Sequence, residues 1–167
     1  MAQLGTPPRE LPEIKAVEDS LILPHFTADD AWSLGNDLRT RLLNFPQPVV
    51  VNISLANSNQ VLFHTCTRSG TAPENDRWVS RKRATVLTWG FSTWYMHNKC
   101  KGDETHFRER YQLGDTAGNY AIHGGGFPLR VKGVEGIVAV VVVSGLAQHE
   151  DHQLAVEVLQ EWIKNNS

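Results

Sequence analysis

The chain has 167 residues, the length of one domain, and a chain of that size buries roughly 70% of its unfolded surface without crosslinks. Hydrophobic residues make up 41% and charged residues 20%, which excludes a disordered or low-complexity protein. A formal net charge of −2 speaks against a surface built for nucleic acid, whose phosphates select for basic faces.

Residues 1–13 read as a flexible arm, with three prolines, a glycine and no apolar run of the kind a secretory leader carries. Residues 14–167 read as a single domain, and the stretch up to Phe26 as a lead-in with at most one short helix. Thr27 opens a helix, because an acid follows the capping hydroxyl three residues later. Ala31, Leu34, Leu38, Leu42 and Phe45 then form one apolar stripe, which Pro46 and Pro48 end. Residues 48–55 and 61–66 are β-branched runs separated by Asn57-Ser-Asn-Gln, the pattern of a hairpin.

A long helix is expected from about Glu74 to Asn98, apolar around most of its circumference, which points to a central position or to cover by a second subunit. Gly90 in its middle suggests close approach of a neighbouring backbone. A short helix over 103–111 and a loop follow. The next strand, within 121–131, is interrupted or preceded by three glycines, Gly136–Ser144 is the most apolar strand, and 150–164 is an amphipathic helix. Hairpins plus flanking helices give an α/β sandwich with a mainly antiparallel sheet. The longest apolar run, Ile137–Val143, is far short of the about 20 residues that cross a bilayer, so a cytoplasmic protein without membrane contact is expected.

Several groups carry chemistry. Gly124, Gly125 and Gly126 form either a tight turn or a nest of amides for an anion such as a carboxylate. His123 with the three glycines resembles an esterase oxyanion motif, but no G-x-S-x-G elbow accompanies it. His149-Glu-Asp-His152 is one residue short of the zincin spacing. Asp151 there either caps the last helix or orients His152 as a proton carrier or iron ligand. Arg81-Lys82-Arg83 is either a solvated basic face or a clamp for anionic groups. His64 alternates with apolar residues on a strand. Cys66 and Cys100 are too few for a disulfide scaffold or a Cys-based zinc site, and the absence of C-x-x-C-H excludes covalently attached haem. Both are expected reduced.

Three strings taken together resemble a known family: 70–83 (GTAPENDRWVSRKR), 120–129 (YAIHGGGFPL) and 143–152 (VSGLAQHEDH). They resemble an uncharacterised, intracellular branch of the haem-degrading, HbpS-like domains, which are grouped with GlcG and the C-terminal domain of PduO. The resemblance implies a profilin-like three-layer α/β sandwich that self-associates as a homo-oligomer. It also implies a small-molecule-binding domain, with haem as the ligand of the wider group. In that reading His123 or His152 is the iron ligand, Arg81 and Lys82 meet the propionates, and Gly124–Gly126, Phe127 and His64 line the site. Without haem no metal is expected. Two alternatives stand beside it. One is a cofactor-independent acid–base enzyme with His123, His152 and Asp151 as its proton-transfer groups. The other is an oligomeric adaptor whose tryptophans contact a protein partner.

Overall fold

The computed structural model describes residues 3–167. Its elements are α1 (Leu11–Ser20), β1 (Ile22–Leu23), α2 (Ala28–Leu42), β2 (Val50–Leu55), β3 (Val61–Cys66), α3 (Pro73–Trp89), α4 (Thr93–Lys99), α5 (Glu104–Arg110), a 3₁₀ turn (Gly114–Asn119), β4 (Gly126–Val131), β5 (Ala139–Ser144) and α6 (Gln148–Asn166).

Local chemistry sets these elements. Asp30 N–H donates to the Thr27 hydroxyl at 3.3 Å and the Asp30 carboxylate accepts from Thr27 N–H at 2.7 Å, the reciprocal box expected at the start of α2. The α2 stripe Ala31, Leu34, Leu38 and Leu42 is fully buried. β2 and β3 form the expected hairpin, and β5 lies at the centre of a five-stranded sheet of order β1-β4-β5-β2-β3. Every pairing is antiparallel except the short β1–β4 contact.

Strand alternation divides β5 between two cores. Ala139, Val141 and Val143 join the α2 and α6 side chains, whereas Val140 and Val142 meet Val79 and Val86 of α3. The result is an α/β sandwich of three layers, as the family resemblance implies. The β4 rim is closed. The Gly125 carbonyl accepts from Val143 of β5 and the Leu129 carbonyl from Val138 just before it, each at 2.9 Å, so the backbone polar groups of Gly126, Pro128 and Arg130 point away from β5. Gly126 N–H donates to Thr93 Oγ1 at 3.0 Å, Pro128 has no N–H, and β1 covers Arg130.

The long helix expected over 74–98 is two helices. Gly90 has φ 75°, a left-handed C-cap that ends α3, and Ser92 then caps α4 by accepting from Tyr95 N–H at 3.0 Å. Gly90 therefore serves chain reversal, not close helix packing. The break also explains the aromatic residues on all sides. Val79 and Val86 face the sheet, while Trp89 stands 5.0–5.1 Å from Phe107, Tyr111 and Tyr120 over a satellite core of Met96, Cys100, Phe107 and Ile122. The lead-in holds a full helix, α1, plus β1, and the fourth strand starts at Gly126, with 121–125 irregular. Of the residues read as an arm, the first two lie outside the described residues. Pro8 C=O accepts from Trp94 Nε1 at 2.8 Å, and Gly5 N–H donates to Glu157 at 2.8 Å.

The α3–α4 joint is held from both sides. Arg130 donates to Gly90 C=O at 2.7 Å, and the buried Glu18 carboxylate of α1 accepts from Ser92 N–H at 3.1 and 3.2 Å. Burial outweighs that hydrogen bonding and raises the Glu18 pKa from 4.5 to about 7. The folded chain thus keeps the Glu18 proton through a range in which the unfolded chain has released it. The stability it contributes is complete below 4.5 and is lost as the pH rises through about 7. Urea denaturation across this window should show wild type losing on the order of 3 kcal/mol relative to Glu18→Gln. Parallel curves for the two proteins would contradict this account.

Candidate functional site

Where β5 ends and α6 begins, the chain brings two opposite charges together out of water. Lys82, on the sheet-facing side of α3, places its Nζ 3.2 Å from Asp151 Oδ2, and both side chains are only 3% exposed. Nζ also donates to Val143 C=O at 3.1 Å. The carboxylate accepts from Gly145 N–H at 3.2 Å and Leu146 N–H at 3.0 Å. Burial pulls the Lys82 ammonium below its usual range, with Asp151 opposing. Burial likewise lifts Asp151 from 3.8 to about 6, against the pull of Lys82 and the two amides.

Gly125 roofs this pair. Its φ is +126°, and a Cβ there would stand 2.1 Å from Val143 O, 2.8 Å from Lys82 Nζ and 3.1 Å from Asp151 Cβ. Only glycine permits both the backbone angle and the approach. Gly124 N–H is taken by the Gln148 side chain at 3.2 Å and Gly126 N–H by Thr93, so these two amides are committed within the fold.

Above the pair opens a cleft of about 250 Å³ whose walls include Asn75, Trp78, His123, Ser144 and Gln148. His123 forms its rim: Nε2 donates to Glu104 at 2.9 Å, and the ring stands edge-on to Trp78 at 5.1 Å. Arg81 lies over Trp78, 4.4 Å from the ring centre, and its Nε donates to Tyr120 C=O at 3.1 Å. Beyond Arg81 a second depression, about 230 Å³, is lined by Glu104, Phe107, Arg108 and Tyr120.

The family of haem-degrading proteins described as HbpS-like matches residues 26–160, a span that includes the whole cleft. The chain belongs to this HbpS-like family. A UPF0303 protein of Streptomyces avermitilis is 42% identical over 163 residues, covering 98% of this chain and 96% of its own. The crystal structure of Ybr137w aligns with a TM-score of 0.87 at 37% identity, over 93% of this chain and 88% of that one. A crystal structure of a PduOC–haem complex shares the fold, with a TM-score of 0.58 at 15% identity over 83% of this chain and 93% of that one.

Within this HbpS-like chain the residues singled out from sequence have different surroundings. Lys82, His123 and Asp151 line the cleft, Gly125 packs on its ion pair, Gly124 and Gly126 are held within the fold beside it, and Arg81 stands at its edge. Arg83 turns away to β2, donating to Ser54 Oγ and Leu55 C=O, each at 2.7 Å. His64 lies on the outer strand β3, where its Nδ1 accepts from Asn52 at 3.2 Å. Phe127 faces the α2–α6 core. His152 is buried 5.8 Å from Trp94 and 6.0 Å from Phe127, with Nδ1 unbonded; burial lowers its pKa to about 3, so the ring is neutral. Asp151 holds Lys82 and not His152. Glu150, not Asp151, closes the α6 cap, accepting from Ala147 N–H at 3.2 Å. Asn75, Trp78 and Gln148 lie within the family strings but are not among the candidate site residues that the sequence singles out. Trp78 precedes Lys82 by four residues, the spacing that sets two side chains on one helix face.

Lys82→Met leaves a buried carboxylate without its cation and should cost about 3–5 kcal/mol. The double variant Lys82→Met/Asp151→Leu should recover much of that loss in chemical denaturation, because neither charge is then stranded.

Proposed function

We propose that this domain binds a small molecule in the cleft between the first turn of α3 and the start of α6, over the Lys82–Asp151 pair. One observation carries the reading: the ion pair sits at the base of an open, polar-walled cleft. A buried ion pair adds little net stability compared with apolar residues of equal volume. Its position beneath convergent amide, imidazole and indole groups fits a binding floor. The cleft, about 250 Å³, lies below the roughly 300–1,000 Å³ of pockets that enclose drug-sized ligands, so it suits a compound of a few carbons. We further propose a cytoplasmic, self-associating protein. In support of self-association, Trp32, 65% exposed, stacks edge-on against Phe63 of the outer strand.

A second reading is haem, which the family description and the PduOC–haem neighbour support. The side chains here fit a haem held at the rim, not one enclosed in the cleft. His123 is 39% exposed, with Arg81 across Trp78 from it, whereas His152 is sealed in the core and the Lys82 charge is matched by Asp151. In this reading His123 is the iron ligand once released from Glu104, and Arg81 meets a propionate. Bound iron supplies redox chemistry that no side chain of the cleft provides.

Thermal denaturation against a panel of small acids and carbonyl compounds tests the first reading. A true ligand at a hundred times its Kd adds about 2.7 kcal/mol to wild type, and markedly less to Gln148→Ala. For haem, a haemin titration of wild type should give a saturable Soret shift, kept in His152→Ala and lost in His123→Ala. A flat titration of folded protein would retire haem and leave the small-molecule reading standing.

A further inference from the structure

We propose that Lys82 is an imine-forming lysine, its amine condensing with the carbonyl carbon of a small aldehyde or ketone in the cleft, with Asp151 as its proton partner. This rests on the cleft being the ligand site.

Lys82 is the one buried lysine in the chain; Lys15, Lys101, Lys132 and Lys164 are exposed and Lys99 is half-buried. An ammonium has three N–H bonds. Two are committed, to Val143 C=O and Asp151, and the side chain forms part of the cleft wall, which leaves the third for a ligand. Gly125 supplies an independent observation. A Cβ at that position would come within 2.8 Å of Nζ, so only glycine lets the backbone pass this close without a side chain displacing the amine from Asp151. Desolvation favours the neutral, nucleophilic amine, the condition under which lysines form Schiff bases. The carboxylate that must take the proton is already in contact with Nζ, and the Gly145 and Leu146 amides fix its orientation.

The step balances without any oxidant or reductant. The Lys82 ammonium gives a proton to Asp151, and the amine lone pair forms the N–C bond as the carbonyl π bond breaks. The oxygen takes the proton from Asp151, giving a carbinolamine. A second nitrogen proton passes through Asp151 to the hydroxyl, which leaves as water. The iminium that remains faces the ionised Asp151, so the charge pair is regenerated. Asn75, Gln148 and His123 are the polar groups placed to orient the rest of the compound.

The test uses the full chain with pyruvate or propanal, sodium cyanoborohydride to reduce any imine, and peptide mapping by mass spectrometry. Expected is reductive alkylation of Lys82 at least tenfold faster than of Lys15, lowered tenfold or more in Asp151→Asn. Lys82→Arg, which keeps the positive charge, serves as the control lacking the amine and should lose this fast labelling. Faster labelling by pyruvate identifies an acidic substrate, and faster labelling by propanal a neutral one; either supports the proposal. Lys82 unlabelled by both compounds, or labelled no faster than Lys15, overturns it. A thermal upshift by the same compounds with Lys82 unlabelled overturns the imine while leaving the cleft as a binding site.

Discussion

A lysine ammonium and an aspartate carboxylate 3.2 Å apart, both nearly out of water, join α3 to α6 across the end of the central strand. Removing two ions from water costs several kcal/mol each, and their attraction repays this only with good geometry and further hydrogen bonds. The surroundings meet that demand with one carbonyl for the ammonium and two amides for the carboxylate. The carbonyl lies near the end of β5 and the two amides in the turn that leads on to α6. The pair therefore fixes where the strand ends, where the helix begins and how near Gly125 must pass.

This constraint also shows why the fold was more legible than the site. Helix α2 announced itself through Thr27, Asp30 and a stripe of aliphatic residues, all local signals. The hairpin and β5 were equally plain, since β-branched runs and turn residues act over a few positions. The α3–α4 break has local marks of its own, a glycine that can be left-handed and then a serine that can cap. Aromatic side chains running through both helices hide them, because the satellite core that packs with Trp89 is built from residues 96–122, later in the chain. β1 has no local signal for a similar reason: a two-residue strand exists only through its partner.

At the site, residue types were visible and their partners were not. His149-Glu-Asp-His152 looked like one motif, yet a helix turns about 100° per residue, so neighbours point in different directions. His149 is exposed, Glu150 caps, Asp151 meets Lys82 and His152 enters the core. Arg81, Lys82 and Arg83 diverge by the same rotation, to the cleft edge, the floor and β2. The link between Lys82 and Asp151 spans 69 positions. No local pattern encodes it, and the glycine that roofs it lies on a third segment.

The two rims of the sheet differ in what they offer another polypeptide. Along β4, a hydroxyl on one amide, a proline and the short β1 leave no row of unpaired donors. β3 pairs only with β2 among the described residues, and Val61 on it is 55% exposed. An unpaired edge of this kind is a template for strand addition, which native chains blunt with polar side chains such as His64 and Thr65 here. Aggregation by edge pairing thus has one direction of growth in this molecule. Substitutions that make β3 more apolar carry a solubility cost that the same changes at β4 do not.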